Sequence, residues 1–367
     1  MDAYIVKSKQ PLGDQIVTPL SNSEAPRSLP QQRPTMRHVA ALAGVGLKTV
    51  SRVINDEPNV SDAVIARVMD AAQRLNYRPN LHAGNLKRTD RKTQTLGLLV
   101  GSVANPFAGA LHRSVEDAAR ERGTAVFAAS LDDDPLRERG IVEAFLRRRV
   151  DGLILTTVTK SQGYLIPERE HGTPMVFVDR EPVGIEGDAV VSDNAHGAAT
   201  ATAHLLEYGH RRIAYLGDRH DIQTASERKR GFLEAVAAAG IPTSSIPLVE
   251  DLHDEESARV AVRELFAGDC APTAIFSSQN LVTLGVLRAL RELGEHTRTA
   301  LVGFDDFVLA DMLEPGITVV AQNPQAIGAL AAERIFARLD GDEQPERTYV
   351  VPTSLIVRGS GEIGPRG

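Results

Sequence analysis

Beyond Thr93 the chain alternates short apolar runs with segments whose apolar residues recur at helical spacing, and this alternation restricts its fold more than any other feature. The runs include Leu96 to Val100, Ala125 to Ala128, Gly152 to Leu155, Met175 to Val178, Ile213 to Leu216, Ala274 to Phe276 and Ala300 to Gly303. Each is strand-length. A strand followed by a helix returns as a right-handed βαβ crossover, which gives parallel sheets covered by helices on both faces. So many units exceed one small sheet. The expected fold is α/β, with two doubly wound parallel-sheet subdomains facing each other across a cleft and any ligand at the carboxyl ends of the strands. At 367 residues and 42% hydrophobic, the chain has apolar material for that body and for a further small domain.

The region before the alternation reads differently. Residues 1–33 carry Pro11, Pro19, Pro26 and Pro30 among Ser, Gln and Asn with no sustained apolar period, so a disordered extension is expected there. From Thr35 to Tyr77 the period is helical. Thr35 can cap a helix through Ala43, Gly44 closes it, and a second helix starts near Leu47. After Asn55-Asp56-Glu57-Pro58-Asn59, Ser61 can cap a third helix with Val64, Val68, Ala71, Ala72 and Leu75 on one face.

The formal charge of −7 conceals an uneven distribution. Residues 34–91 hold nine Lys/Arg against five Asp/Glu, whereas residues 92–367 sum to −12. A small basic unit precedes a large acidic body, so the average charge does not exclude nucleic acid. The single Cys270 excludes an intrachain disulfide framework and a cysteine-based zinc site, and is read as a packing residue. No run reaches the roughly 18 apolar residues of a membrane span, and the first residues lack the apolar centre of a secretion signal. A cytoplasmic protein with no membrane partner is expected.

Two helices joined by Ala43-Gly44-Val45-Gly46 have the sequence form of a helix-turn-helix. On the second, Val50, Val53 and Ile54 can pack inward, which points Leu47, Lys48, Ser51, Arg52 and Asn55 outward. Such a helix fits the major groove, where Arg52 can pair with a guanine edge and Lys48 can reach a guanine or a phosphate. Spacing alone fits a solvated helix face equally well.

The longer runs "TMRHVAALAGVGLKTVSRVIN" and "VSDAVIARVMDAAQRLNYRPN" resemble the DNA-binding head of the lactose/galactose repressor family. That resemblance implies that Leu47 and Lys48 read bases and that Arg52 supports guanine recognition. It also implies that Thr49, Ser51, Asn55 and Tyr77 contact or position the DNA backbone, with Thr35 at the start of the same DNA-binding unit. Gly46 departs from the family, which usually has Ser there. The segment Asn80-Leu81-His82-Ala83-Gly84-Asn85-Leu86-Lys87 resembles the family's hinge helix, which folds on the operator. Asn80, Ala83 and Leu86 are thereby expected at the DNA, with Leu86 as the minor-groove wedge.

The resemblance continues through "NPF" at Asn105, "VDREP" at Val178, "VSDNAHGA" at Val191, "ERKRGF" at Glu227, "VGFDD" at Val302 and "SLIVRGS" at Ser354. The implied body is similar to periplasmic sugar-binding proteins. Phe107 can stack on a sugar face or a base, Arg228 offers a fork of donors, Asp305 can accept from vicinal hydroxyls, and Gln322 lies on a crossover where it can sense closure. Asn105, Gln279 and Asn280 complete the expected effector contacts. Gln279-Asn280 stands where the family often has Asn-Asp. Each residue also has a structural reading: Phe107 as core, Arg228 paired with Glu227 or another carboxylate, Asp305 as a helix cap, Gln322 satisfying buried backbone.

The expected domains are the extension (1–33), the helix-turn-helix domain (34–79), a hinge helix or linker (80–92) and an effector-binding and dimerisation domain (93–367). The subdomains of the last are expected at about 93–193 plus 322–340, and 194–321 plus 341–367. No G-x-S-x-G elbow, P-loop or H-E-x-x-H is present, and Gly359 to Gly364 matches G-x-G-x-x-G without a following helix. No catalytic residue, metal or cofactor is expected. The reading is a dimeric repressor on palindromic double-stranded DNA, controlled by a sugar or related metabolite. The alternatives are a purine- or nucleoside-responsive regulator of the same fold, an α/β enzyme and a solute-binding protein.

Overall fold

The computed structural model describes residues 34–55, 57–78, 92–268 and 270–366. The expected extension 1–33 and most of the expected hinge, with Asn80, Ala83 and Leu86, lie outside the described residues. A head and a body form separate compact units, split near Lys87.

In the head, three helices follow the apolar period: α1 (Met36–Ala43), α2 (Leu47–Ile54) and α3 (Asp62–Arg74). Gly44 ends α1 at φ +63, a left-handed conformation that glycine adopts without a Cβ clash. Gly46 starts α2 and Ser61 starts α3, each from extended backbone and without a side-chain capping bond. Val39, Val50, Val68, Ala71 and Ala72 are buried together, and Val53, Ile54, Val64, Leu75 and Tyr77 pack around them. The two expected inward faces therefore meet in one small core.

The body holds two six-stranded sheets. The first contains β1 (Thr95–Val100), β2 (Ala125–Ser130), β3 (Gly152–Leu155), β4 (Met175–Val178) and β5 (Asp188–Ser192). The second contains β6 (Ile213–Leu216), β7 (Leu248–Val249), β8 (Ala274–Ser277), β9 (Ala300–Phe304) and β10 (Thr318–Ala321). β11 (Thr348–Val351) joins the first sheet and β12 (Ser354–Ile356) the second, giving the orders β11-β5-β4-β3-β1-β2 and β12-β10-β9-β8-β6-β7. The two orders correspond strand for strand. All pairings are parallel except β10 with β12.

Helices cover both faces of each sheet. α4 (Pro106–Glu121), α5 (Pro135–Arg147), α6 (Ile166–Glu170) and α11 (Pro324–Leu339) serve the first half; α7 (Asn194–Glu207), α8 (Gln223–Ala238), α9 (Glu255–Ala267) and α10 (Asn280–Leu293) serve the second. Leu98, Ile154, Val176 and Val190 meet Leu111, Ile327, Ala331 and Ile335 in one buried layer. Tyr215, Phe232 and Phe276 anchor another with Leu205 and Val302. Burying such a side chain is worth roughly 1.5 to 3 kcal/mol, so these layers hold the cleft walls rigid.

The chain crosses between the halves near 192–194, 321–324 and 351–354. Residues 341–367 do not lie wholly in the second half as expected. β11 pairs parallel with β5, from Thr348 opposite Ala189 to Val351 opposite Ser192, because α11 returns it to the first sheet as one more crossover. Only from Ser354 does the chain rejoin the second sheet, where Leu355 pairs with Val320. Cys270 is also corrected: it is exposed, not packed.

Candidate functional site

The carboxyl ends of both sheets converge on one polar cavity. Gly101 after β1, Thr156 after β3 and Asp179 after β4 line it from the first half. Asp218 after β6, Gln279 after β8 and Asp305 after β9 line it from the second. Parallel strands end in loops with free backbone groups, so polar side chains collect there.

Arg228 is 5% exposed and belongs to α8. Its Nε donates to Asn194 Oδ1 at 2.8 Å and its Nη1 donates to the Ser278 carbonyl at 2.8 Å, while Nη1 lies 3.7 Å from Asp305 Oδ2. The guanidinium stacks on Phe304, 3.9 Å from the ring centroid. It pairs with Asp305 rather than with Glu227. Asp305 follows β9 at φ +70 and caps no helix; its Oδ1 accepts from Gln322 Nε2 at 2.6 Å. Gln322 sits on the second crossover and accepts from Ser192 Oγ, on the first, at 2.5 Å. Gln322 thus links two crossovers to the cavity wall.

Phe107 lines the cavity and also packs on the first-half core, so the two readings of that ring coincide. Asn105 caps α4 through Oδ1, which accepts from the Phe107 N–H at 3.0 Å and, across the cleft, from Asn280 Nδ2 at 2.9 Å. Gln279 caps α10 by accepting from the Val282 N–H at 3.0 Å and lines the cavity. Asn280 is 1% exposed and faces the adjoining groove beside Phe107 and Gln325 rather than the main cavity. Its amide ties the halves together through Asn105.

Sequence reasoning missed five ionisable lining residues: Asp133, Asp179, Arg180, Asp218 and His253. Arg180 donates to Asp133 Oδ1 and to the Thr157 carbonyl, both at 2.8 Å. Asp179 lies at φ +69, with its carboxylate 3.6 Å from Arg180 Nε. Burial pushes the Asp179 carboxyl above its ordinary pKa, against the pull of Arg180 and Arg228. His253 Nδ1 lies 2.8 Å from Asp218 Oδ1, and that bond raises the imidazole's pKa against the effect of burial. A usable signal existed, since Asp179 and Asp218 each stand within two residues of a strand end. Four carboxylates therefore face two guanidiniums that are already bonded within the wall.

On the head, Leu47, Lys48 and Asn55 are exposed along α2, and Thr49, Ser51 and Arg52 are half-buried. Asn55 Nδ2 donates to Ser51 Oγ at 3.3 Å. Arg52, expected to point outward, donates from Nη2 to the Pro58 carbonyl at 2.6 Å, with Nε 3.6 Å from Glu57. Thr35 is exposed and its N–H donates to His38 Nδ1 at 3.2 Å. Tyr77 is half-buried against the head core, and burial raises its pKa. Among the described residues no cluster of three metal-ligating side chains occurs, and no helix is long and apolar enough to cross a membrane.

A helix-turn-helix head followed by a two-sheet body enclosing a polar cavity defines a ligand-sensing DNA-binding regulator. Residues 35–80 match bacterial regulatory proteins of the lacI family, and residues 202–361 match the periplasmic binding protein-like domain. The chain is 32% identical over 328 residues to the HTH-type transcriptional regulator GalR of Salmonella typhimurium, covering 89% of this chain and 95% of that protein. It is likewise 32% identical over 329 residues to the ribose operon repressor of Escherichia coli, covering 89% and 99%. Among solved structures, the transcriptional regulator CelR in complex with cellobiose superposes with a TM-score of 0.65 at 33% identity, covering 89% of this chain and 100% of that one. The chain belongs to the lacI family of bacterial regulatory proteins, and is a DNA-binding transcriptional regulator.

Proposed function

We propose that the protein is a repressor that binds a palindromic operator as a homodimer and changes its operator affinity when a sugar occupies the cleft. The observation that carries the sugar reading is the wall itself: carboxylates of Asp179 and Asp305 from opposite halves, the Arg228 fork and the Phe107 ring surround one cavity. Carboxylates accept from vicinal hydroxyls, and a phenyl ring covers a sugar face. Among the described residues lining the cavity, Phe107 is the only phenyl or phenol ring, which favours a polyol over a purine clamped between two rings.

On the head, Leu47, Lys48 and Arg52 are assigned to bases. Thr35, Thr49, Ser51, Asn55 and Tyr77 are assigned to the backbone, with Asn80, Ala83 and Leu86 completing the contact. Two heads on one duplex require two-fold half-sites, which motivates the dimer. Effector control requires the sugar to favour one spacing of the two halves, since equal affinity for both states shifts nothing. A regulator of this kind acts without catalysis, in the cytoplasm with its DNA.

The test pairs two measurements. Anisotropy of labelled palindromic duplexes should show binding that weakens steeply with salt, as counterions are released. Thermal shift with aldoses, disaccharides and nucleosides should single out a sugar. A nucleoside as the only stabilising compound would overturn the sugar reading, and no duplex bound at low salt would overturn the operator reading.

A further inference from the structure

We propose that closing the cleft takes up a proton, held by His253 between Asp218 on its own half and Asp133 on the opposite half. His253 follows β7, and Asp133 lies in the turn after β2. The imidazole Nδ1 is 2.8 Å from Asp218 Oδ1, and Nε2 is 4.0 Å from Asp133 Oδ2. A neutral imidazole donates from one nitrogen only. With Nδ1–H directed to Asp218, the Nε2 lone pair would face a carboxylate. Imidazolium keeps the Nδ1–H bond to Asp218 and places its positive charge at ion-pair distance from Asp133 Oδ2.

The surroundings fix this geometry. Asp133 is 9% exposed, sits at φ +50, and has its other oxygen bonded to Arg180, so Oδ2 is the oxygen left toward the imidazole. Arg219, beside Asp218, donates from Nη1 to the Asp133 carbonyl at 3.3 Å, a hydrogen bond to the same turn across the cleft. The charged groups acting on His253 are thus Asp218 and Asp133, which favour imidazolium, and Arg219, which opposes it. Opening removes Asp133 and leaves Asp218. The closed form therefore binds the proton more tightly. Its advantage is complete below the open-form pKa of His253 and is lost as pH rises through the closed-form value.

A backbone reporter of closure exists: the Glu181 N–H, in the first half, donates to Gln223 Oε1, in the second, at 2.9 Å. Hydrogen exchange of that amide in the unliganded full chain, corrected for intrinsic pH dependence, should show several-fold more protection near pH ~5.5 than near pH ~8. His253→Gln should flatten the profile. In parallel, NMR titration of the His253 ring should give a lower pKa in Asp133→Asn than in the wild type. Equal corrected profiles in wild type and His253→Gln, or an imidazole pKa indifferent to Asp133→Asn, would overturn the proposal. If His253→Gln fails to fold, the ring titration in Asp133→Asn decides alone.

Discussion

Asp179 and Asp305 occupy equivalent positions in the two halves of the body. Each is the residue directly after the fourth strand of its half, at φ +69 and φ +70, and each donates its N–H to the neighbouring strand, to Val190 at 3.0 Å and Val320 at 2.8 Å. A left-handed backbone at a non-glycine residue costs about 1 kcal/mol, and here it turns both carboxylates toward one cavity. The partners differ. Asp305 has Gln322 and Arg228 close by, whereas among the described residues the ion pair of Asp179 is with Arg180 at 3.6 Å.

That asymmetry gives a pH prediction for Asp179→Asn. Burial raises the Asp179 pKa, so the folded state holds its proton more tightly than the unfolded chain does. Stability contributed by the neutral form is therefore lost as pH rises from the ordinary 3.8 toward the folded value. Asp179→Asn should lack that loss and be the more stable protein at neutral pH, while its sugar response weakens. Urea midpoints across pH check the first part; an unchanged difference between variant and wild type at all pH values would refute it.

Arg228→Ala should remove the sugar response and also destabilise the body. Deleting one partner of a buried pair typically costs about 3 to 5 kcal/mol, and Arg228 additionally bonds Asn194 and the Ser278 carbonyl. A urea melt read together with duplex binding separates the two effects: the head should still bind DNA at temperatures where the body remains folded.

Arg52→Ala should reduce specific duplex affinity by at least about 1 kcal/mol, the lower range for a bidentate base contact. Because Arg52 also holds the Pro58 carbonyl, the turn after α2 should loosen, seen as faster exchange around Glu57. An unchanged footprint on a specific duplex would count against groove reading.

Gly231→Ala tests the packing of α7 on α8. A Cβ at Gly231 would lie 2.0 Å from the Ala195 carbonyl oxygen, a contact neither helix can keep. Overpacking of this kind costs about 1 to 3 kcal/mol, and the shift would displace Arg228 one turn earlier on the same helix. A melting temperature equal to wild type would show the helices to be freely separable.

The alternation of runs revealed most of the scaffold. Gly152–Leu155, Met175–Val178 and Ile213–Leu216 form strands over the expected residues, because each is a fully buried central run. β7, β11 and β12 were harder to read: they are short edge strands with partly exposed residues and carry little apolar pattern of their own. In the site, Arg228, Asp305 and Gln322 come together as one bonded chain. Asp133 and His253 were not legible, since their meeting depends on the facing of two halves 120 positions apart in sequence. Arg52 was legible as a polar residue but not in its bond to Pro58, which depends on how the following turn closes.

The three passes between the halves are tied together: the Asp193 N–H donates to the Val351 carbonyl at 3.3 Å, the Thr353 N–H donates to Asp193 Oδ1 at 2.7 Å, and Ser192 Oγ donates to Gln322 Oε1. Three adjacent tethers behave like a door on a strip hinge, permitting a swing about one axis while resisting twist and sideways slip. Severing any single tether would leave two in place, so a backbone nick there would soften the swing without letting the leaves part.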